Sequence, residues 1–357
     1  MELETRKVQK LGYSSLGVSL PKDWAESNGI RPGSLVNLSV EDDGTLRIRL
    51  GPFEEYPEAA DATVDADVWS EPEALTRMIT GNYIVGCNSI KIRSREELSP
   101  GQLQEIHEAA RGLTGLTIVN QGPKFVTIEN FVEPTRFPID GLLRRLHYLT
   151  SRMEKLTLGA IAGEAGASLG EIERMELEVD RLYWLVTRQL LLAARNRTIA
   201  AKVGVTEPRN LLGDRVVAVS LENIGDLWEE LASDALRRYP SGRKPPRDLA
   251  KSVAAIKAKL ERMIETTMTA FFAMDVEKAN DALAMQTSLV SDLKGLSAVT
   301  PTSRKESAAA SAQAGWAFRP LEHVAKYYAT IAQITINRCL ESPLRPRAEA
   351  KPPEPAP

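Results

Sequence analysis

Hydrophobic and polar positions follow two rhythms along this chain. Up to about Pro138 the apolar residues come in short, alternating runs, and from there to Leu340 they recur every three or four residues. Alternation puts successive side chains on opposite faces of a strand, whereas the longer spacing lines them up on one face of a helix. In the first 51 residues this predicts short strands at RKVQKL and GVSLP, and a short helix opened by Pro21 and Lys22 and closed by Asn28-Gly29. A turn follows at Arg31-Pro32-Gly33, then a hairpin of SLVNLSV and TLRIRL joined at Asp43-Gly44. So few apolar side chains make a poor core, and the unit is expected to complete itself by pairing with a second copy.

Residues 52–70 are acidic and rich in Pro and Ala, and read as a linker with one strand at Ala62–Val68. A small α/β piece follows to residue 138. It has a helix at EPEALTRMITGN, a strand at YIVGCNSIKIRS, a helix started by Ser99-Pro100 and running through Arg111, and a hairpin of LTIVNQ and FVTIENF across Gly122-Pro123. It shows no Gly-rich phosphate loop or catalytic trio, so a structural or dimerising role is expected of it. Beyond Pro138 the pattern predicts six helices, at about 140–164, 168–195, 208–239, 247–273, 275–297 and 313–340, grouped as two three-helix bundles in series. The fold class is α+β, mainly α. The domains are 1–51, 52–138 (linker and α/β piece), 139–341 (helical) and a Pro-rich tail, 342–357, expected to be disordered.

The second predicted helix, EIERMELEVDRLYWLVTRQLLLAA, has its main apolar positions at Met175, Leu177, Leu182, Leu185 and Leu190–Leu192. Glu176 and Asp180 lie four apart on it, one above the other on one face, where like charges repel. The same spacing recurs at Glu222 and Asp226 in SLENIGDLWEEL on the next helix. Spacing alone leaves two readings. The four acids are solvated surface, or two facing helices supply oxygen ligands to a hard or borderline cation. Trp184, Trp228, Trp316 and Tyr327-Tyr328 are expected to pack in the core.

Composition narrows the classes. Of 357 residues, 43% are hydrophobic and 26% charged, as in soluble globular proteins of two or three domains. A net charge of −3 gives no whole-protein attraction to nucleic acid or anionic membrane. Two cysteines cannot build a disulfide framework, and neither a signal peptide nor an 18-residue apolar run appears, so a reducing, cytoplasmic setting is expected.

Arg6-Lys7-Val8-Gln9-Lys10, then Ser14-Ser15-Leu16-Gly17-Val18-Ser19-Leu20-Pro21-Lys22, then Gly29-Ile30-Arg31-Pro32-Gly33-Ser34-Leu35-Val36 resemble the AbrB/MazE/SpoVT DNA-binding module over almost all of the first 50 residues. The resemblance implies a swapped-hairpin dimer that lays basic strands and loops on DNA, with Arg6, Lys7, Lys10, Lys22 and Arg31 at the matching positions. Between residues 6 and 31 these five cations face only Asp23 and Glu26, leaving about +3 per copy. Such charges grip phosphates and carry little sequence choice.

The region from 140 to 340 resembles a PhoU domain, of the phosphate-uptake regulator family. The resemblance rests on Glu176-Leu177-Glu178-Val179-Asp180-Arg181-Leu182, on Leu221-Glu222-Asn223-Ile224-Gly225-Asp226, where Asn223 replaces the motif's Arg, and on Phe272-Ala273-Met274-Asp275-Val276-Glu277. The whole arrangement is similar to archaeal phosphate-uptake regulators. It implies that Glu176, Asp180, Glu222 and Asp226 bind iron or another divalent metal. In the second half Thr287 and Ser291 stand where the acid pair should be, and Lys326 takes the aspartate position, so a cluster is expected in the first half only.

Di-iron oxidase chemistry would place a Glu three residues before a bundle His, but Gln104, Arg144 and Pro320 precede His107, His147 and His323 at that distance. No nucleophile elbow, Walker loop or Cys-His constellation appears. The expectation is a non-enzymatic, homodimeric DNA-binding regulator of phosphate uptake, its helical domain answering to a metal, a ligand, a transporter ATPase or a sensor kinase. Two alternatives stand beside it, a scaffold that restrains a phosphate transporter or sensor kinase without touching DNA and a metal-sensing protein.

Overall fold

A computed structural model describes residues 4–40, 45–50, 61–69, 71–162, 164, 168–240, 244–297 and 307–341. The chain divides into two compact units, Met1–Glu58 and Ala59–Pro357.

In the first unit, β1 (Gln9–Leu11) and β2 (Ser15–Gly17) form one hairpin, α1 (Lys22–Ser27) follows, and β3 (Val36–Val40) pairs with β4 (Leu46–Leu50) in another. The second strand falls at Ser15–Gly17 instead of GVSLP, because the chain already reverses at Gly12, whose φ of 72° suits a residue without a side chain. The expected Asp43-Gly44 turn lies outside the described residues. None of the described side chains in this unit is buried; Leu35 is 88% exposed and Val40 79%.

The second unit opens on an α/β layer. Strands β5 (Ala62–Asp65), β6 (Ser89–Arg93), β7 (Leu116–Gly122) and β8 (Phe125–Asn130) form a sheet in the order β5-β6-β8-β7, with β5 and β6 parallel and the other pairs antiparallel. The crossover helix α2 (Ala74–Ile84) and α3 (Pro100–Gly112) complete the layer. Val64, Ile90, Ile92, Val126 and Ile128 bury one sheet face against Leu75, Ile79, Tyr83 and Ile106 of the helices. A reciprocal cap starts α3: the Gln102 amide donates to Ser99 Oγ, and the Ser99 amide donates to Gln102 Oε1. The strand expected at YIVGCNSIKIRS begins only at Ser89, since Tyr83 and Ile84 finish α2 and Gly86, at φ 101°, turns the chain. The linker reading falls largely on residues outside those described.

Six long helices follow: α4 (Ile139–Ala162), α5 (Leu169–Arg195), α7 (Asn210–Arg238), α8 (Arg247–Ala273), α9 (Val276–Ser297) and α10 (Ser307–Glu341). The short α6 (Arg197–Lys202), absent from the sequence reading, is started by Asn196, whose side chain accepts from the Thr198 and Ile199 amides. α4, α5 and α7 pack as one bundle and α8, α9 and α10 as another. The two are not merely in series: α4 also meets α8, α7 meets α10, and one apolar cluster runs through both. Arg338 on α10 pairs with Asp214 on α7 at 2.6 Å in this seam. The 342–357 tail lies outside the described residues.

α5 binds the two layers of this unit together. Its buried stripe is Ile172, Met175, Val179, Tyr183, Val186 and Leu190, and from Leu185 to Leu190 every residue is buried, because the bundle covers one side and α2 the other. Leu177, expected in the stripe, is instead 57% exposed, since it falls between Met175 and Val179 on the outward arc. The buried Arg188 caps the C-terminus of α2. Its guanidinium donates to the carbonyls of Tyr83, Cys87 (3.1 Å) and Gly86 (3.2 Å) and to Asn88 Oδ1 (3.1 Å). Arg195 adds a bond to the Val85 carbonyl at 2.8 Å. The negative end of a helix favours such cations. Among the described residues, no helix is long and apolar enough to cross a membrane.

Candidate metal centre and nucleic-acid interface

α5 and α7 approach closely where Val179 meets Gly225; a Cβ on that glycine would sit 3.1 Å from Val179 Cγ1. The acids flanking this crossing are thereby drawn together. One carboxylate oxygen from each of Glu176, Asp180 and Asp226 lies within 4.8 Å of the others. Burial raises the pKa of all four acids named from the sequence; repulsion from neighbouring carboxylates adds to it at Glu176, Glu222 and Asp226, while at Asp180 a hydrogen bond with Glu176 offsets part of it. Glu176 is pushed up to about 7 by burial, then by Asp180, Asp226 and Glu229. Glu222 also rises to about 7, by burial and by Asp226 and Asp180, against the pull of Arg215. A cation among these oxygens would relieve both penalties, and three or more carboxylates suit a hard or borderline divalent ion.

Glu222 stands outside the three-oxygen group. Asn223 Nδ2 donates to its Oε2 at 3.0 Å, while Asn223 Oδ1 accepts from the Tyr327 hydroxyl of α10 at 3.1 Å. Asn223 therefore links Glu222 to the other bundle, and Tyr327, which packs against the core as expected, adds this link through its hydroxyl. Trp228 and Tyr328 are fully buried, and Trp184 and Trp316 half-buried, as their positions implied. Glu229 was missed by the sequence reading although its spacing shows it: it lies three residues after Asp226, on the same face. In the second bundle Thr287 turns its hydroxyl to the Leu283 carbonyl, and Lys326 is exposed.

In the first unit Arg6, Lys7, Lys10, Lys22 and Arg31 are all exposed. Arg6 pairs with Glu4, a partner the sequence reading omitted, and Lys22 with Glu26 at 3.7 Å. Exposed pairs of this kind contribute little to stability and yield readily to a competing phosphate.

A family model described as the antidote-toxin recognition protein MazE, a bacterial antitoxin, matches residues 9–52. The PhoU domain model matches residues 143–235, from α4 to near the end of α7, and so spans all four acids. The crystal structure of PhoU from Pseudomonas aeruginosa is similar at 17% identity over 56% of this chain and 93% of that one, with a TM-score of 0.47. No curated protein matches the chain. The polypeptide thus joins a MazE-type antitoxin domain at residues 9–52 to a PhoU domain at residues 143–235.

Proposed function

We propose that this protein is a homodimeric, DNA-binding regulator of phosphate uptake that works in the cytoplasm without catalysing a reaction. The carrying observation is the union of a basic MazE-type module, none of whose described side chains is buried, with a PhoU domain. A MazE-type module points to nucleic acid or a toxin as partner, and a PhoU domain to phosphate homeostasis. Five exposed cations favour the nucleic acid, and the exposed Leu35 and Val40 favour a second copy as cover. The helical unit would report phosphate status through a metal, a transporter ATPase or a sensor kinase.

Fluorescence anisotropy on the protein's own upstream DNA should show tight binding with a log–log salt slope of roughly −4 or steeper, as for several phosphate contacts. An Arg6→Ala/Lys10→Ala variant removes four cations from the dimer and should flatten the slope by up to about four, one for each lost phosphate contact. Equal, weak binding to this DNA and to unrelated DNA would sink the reading and favour the transporter scaffold.

Within the same reading, Glu176, Asp180 and Asp226 hold a divalent metal, iron or another, and Glu222 and Glu229, which interact electrostatically with this group, are the candidates to complete the shell. Protein purified without oxygen should keep stoichiometric metal through gel filtration. At a hundredfold excess over its dissociation constant the ion should stabilise the fold by about 2.7 kcal/mol. Asp180→Asn/Asp226→Asn should abolish both effects, whereas Glu222→Gln should weaken them less. A melting temperature unmoved by Fe²⁺, Mn²⁺ and Zn²⁺ would rule the site out.

A further inference from the structure

The sheet of the α/β layer has a second face, away from α2 and α3, that no described element covers. Alternation places Lys91 and Arg93 of β6 there, with Phe125 and Thr127 of β8 as their cross-strand partners. These residues, with Ser94 and Lys124, line an open cavity of about 420 Å³, within the size range of sites for drug-sized ligands. Among the described residues the lining holds three cations and no carboxylate.

Several features show that this wall is built. Lys124 Nζ is held by the Arg95 carbonyl at 2.6 Å, which fixes its ammonium beside the cavity. The neighbouring aspartates are mostly engaged elsewhere. Asp65 accepts from the Asp67 amide at 2.9 Å, and Asp67 accepts from the Ser94 hydroxyl at 2.7 Å and the Arg95 amide at 2.9 Å. Those bonds hold the Asp67 carboxyl below the usual carboxylate range. Asp61 does pair with Lys91, at 3.2 Å, so an incoming anion must share that cation. Arg93 is exposed and has no ion-pair partner among the described residues. Its planar fork suits a phosphoryl group. Finally, the Phe125 ring lies over Gly122 of β7: a Cβ there would be 2.5 Å from the ring, so the glycine is what lets the aromatic lie across the neighbouring strand.

We infer that this face is a nucleotide site, with the phosphates on Lys91, Arg93 and Lys124 and the base against Phe125. The volume exceeds what orthophosphate alone would fill, and the aromatic ring offers a base a flat partner next to the cations. This inference is independent of the metal centre, which lies on α5 and α7, and of the DNA-binding module. It would give the α/β piece an effector role beyond the structural one expected from sequence, with Arg188 joining that piece to the helix that bears Glu176 and Asp180.

Calorimetric titration of the full chain with ADP, pyrophosphate, orthophosphate and a short single-stranded oligonucleotide tests this. ADP should bind saturably, more tightly than orthophosphate, and more weakly as salt is raised. Arg93→Gln should weaken ADP and pyrophosphate about tenfold, the loss of one charge-assisted contact. Phe125→Leu should weaken ADP roughly fivefold or more while leaving pyrophosphate unchanged. Both positions are solvent-exposed, so an unaltered urea midpoint would show that the variants remain folded. The site is overturned if ADP fails to saturate, or if its binding ignores Arg93→Gln. Pyrophosphate binding as tightly as ADP, with Phe125→Leu silent, would overturn the nucleotide assignment. An oligonucleotide bound more tightly than ADP through the same two residues would replace it with a nucleic-acid strand.

Discussion

Replacing Arg188 by methionine is expected to cost the chain on the order of 3–5 kcal/mol of stability, read as a lower urea midpoint. The methionine keeps much of the volume but none of the donors. Three carbonyls of buried residues at the end of α2 would then lose their partner, while the exposed Asn88 side chain could turn to water. The penalty is that of unpaired buried acceptors, which exceeds the net worth of the bonds themselves. Arg188→Lys keeps a charge but cannot fork toward four acceptors, so it should recover only part of the loss. Hydrogen exchange should quicken first at the amides near the end of α2. A midpoint loss worth under about 1 kcal/mol would show that the α/β layer is held to the bundle by apolar packing instead.

Stability should fall as pH rises from about 4.5 to about 8, and Glu154→Gln should remove a distinct part of that slope, most visibly toward pH 8, above the range of the other raised carboxyls. Glu154 lies in the seam between the bundles, 2% exposed, and its Oε1 has no hydrogen-bond partner. Burial, then Glu261 on α8, lifts its pKa from 4.5 to about 8, against the pull of Lys155 and Lys257; once ionised, Glu154 in turn adds to the burial that raises the pKa of Tyr328 on α10. A carboxyl whose folded pKa is raised binds a proton in the folded chain that the unfolded chain has released. The folded state is therefore favoured at the acid end of the window and loses that advantage, a few kcal/mol, as pH climbs through it. Two other contributions overlap. Glu176 and Glu222, raised to about 7, act in the same direction, as do Asp180, Asp214 and Asp226, whose pKa values burial also raises. The buried His147, lowered to about 4, acts oppositely, since the unfolded chain takes up its proton first as pH falls below 6.5. The difference between wild type and Glu154→Gln, measured by chemical denaturation across this range, cancels both. Parallel curves would show that Glu154 is hydrated and titrates normally.

The candidate site was legible in the sequence only as pairs. Acids four apart on a helix must share a face, so Glu176 with Asp180 and Glu222 with Asp226 follow from spacing. Which oxygens meet depends on the depth at which α5 crosses α7, and that is decided by Val179 against the bare backbone of Gly225. The crossing admits Glu176, Asp180 and Asp226, while Asn223 holds Glu222 to one side. Asn223 reads locally as a departure from a motif. Its link to Tyr327 spans 104 residues of chain and no periodicity announces it.

By itself the sequence determined the mainly helical fold class, the order of the long helices, the capped α3 and the hairpin at Gly122-Pro123, because helix period, caps and turn residues act over only a few positions. The strand starts slipped where a glycine with positive φ turned the chain sooner than the alternation suggested, at Gly12 and Gly86. Only the tertiary structure decided that the two bundles share one core, that α5 is buried on two sides, and that Arg188, set in an apolar stretch of α5, is the polar joint between the layers. The reason is physical: an arginine in a hydrophobic stretch is tolerable only where acceptors wait for it, and those acceptors are carbonyls at the end of a helix some hundred residues earlier in the chain.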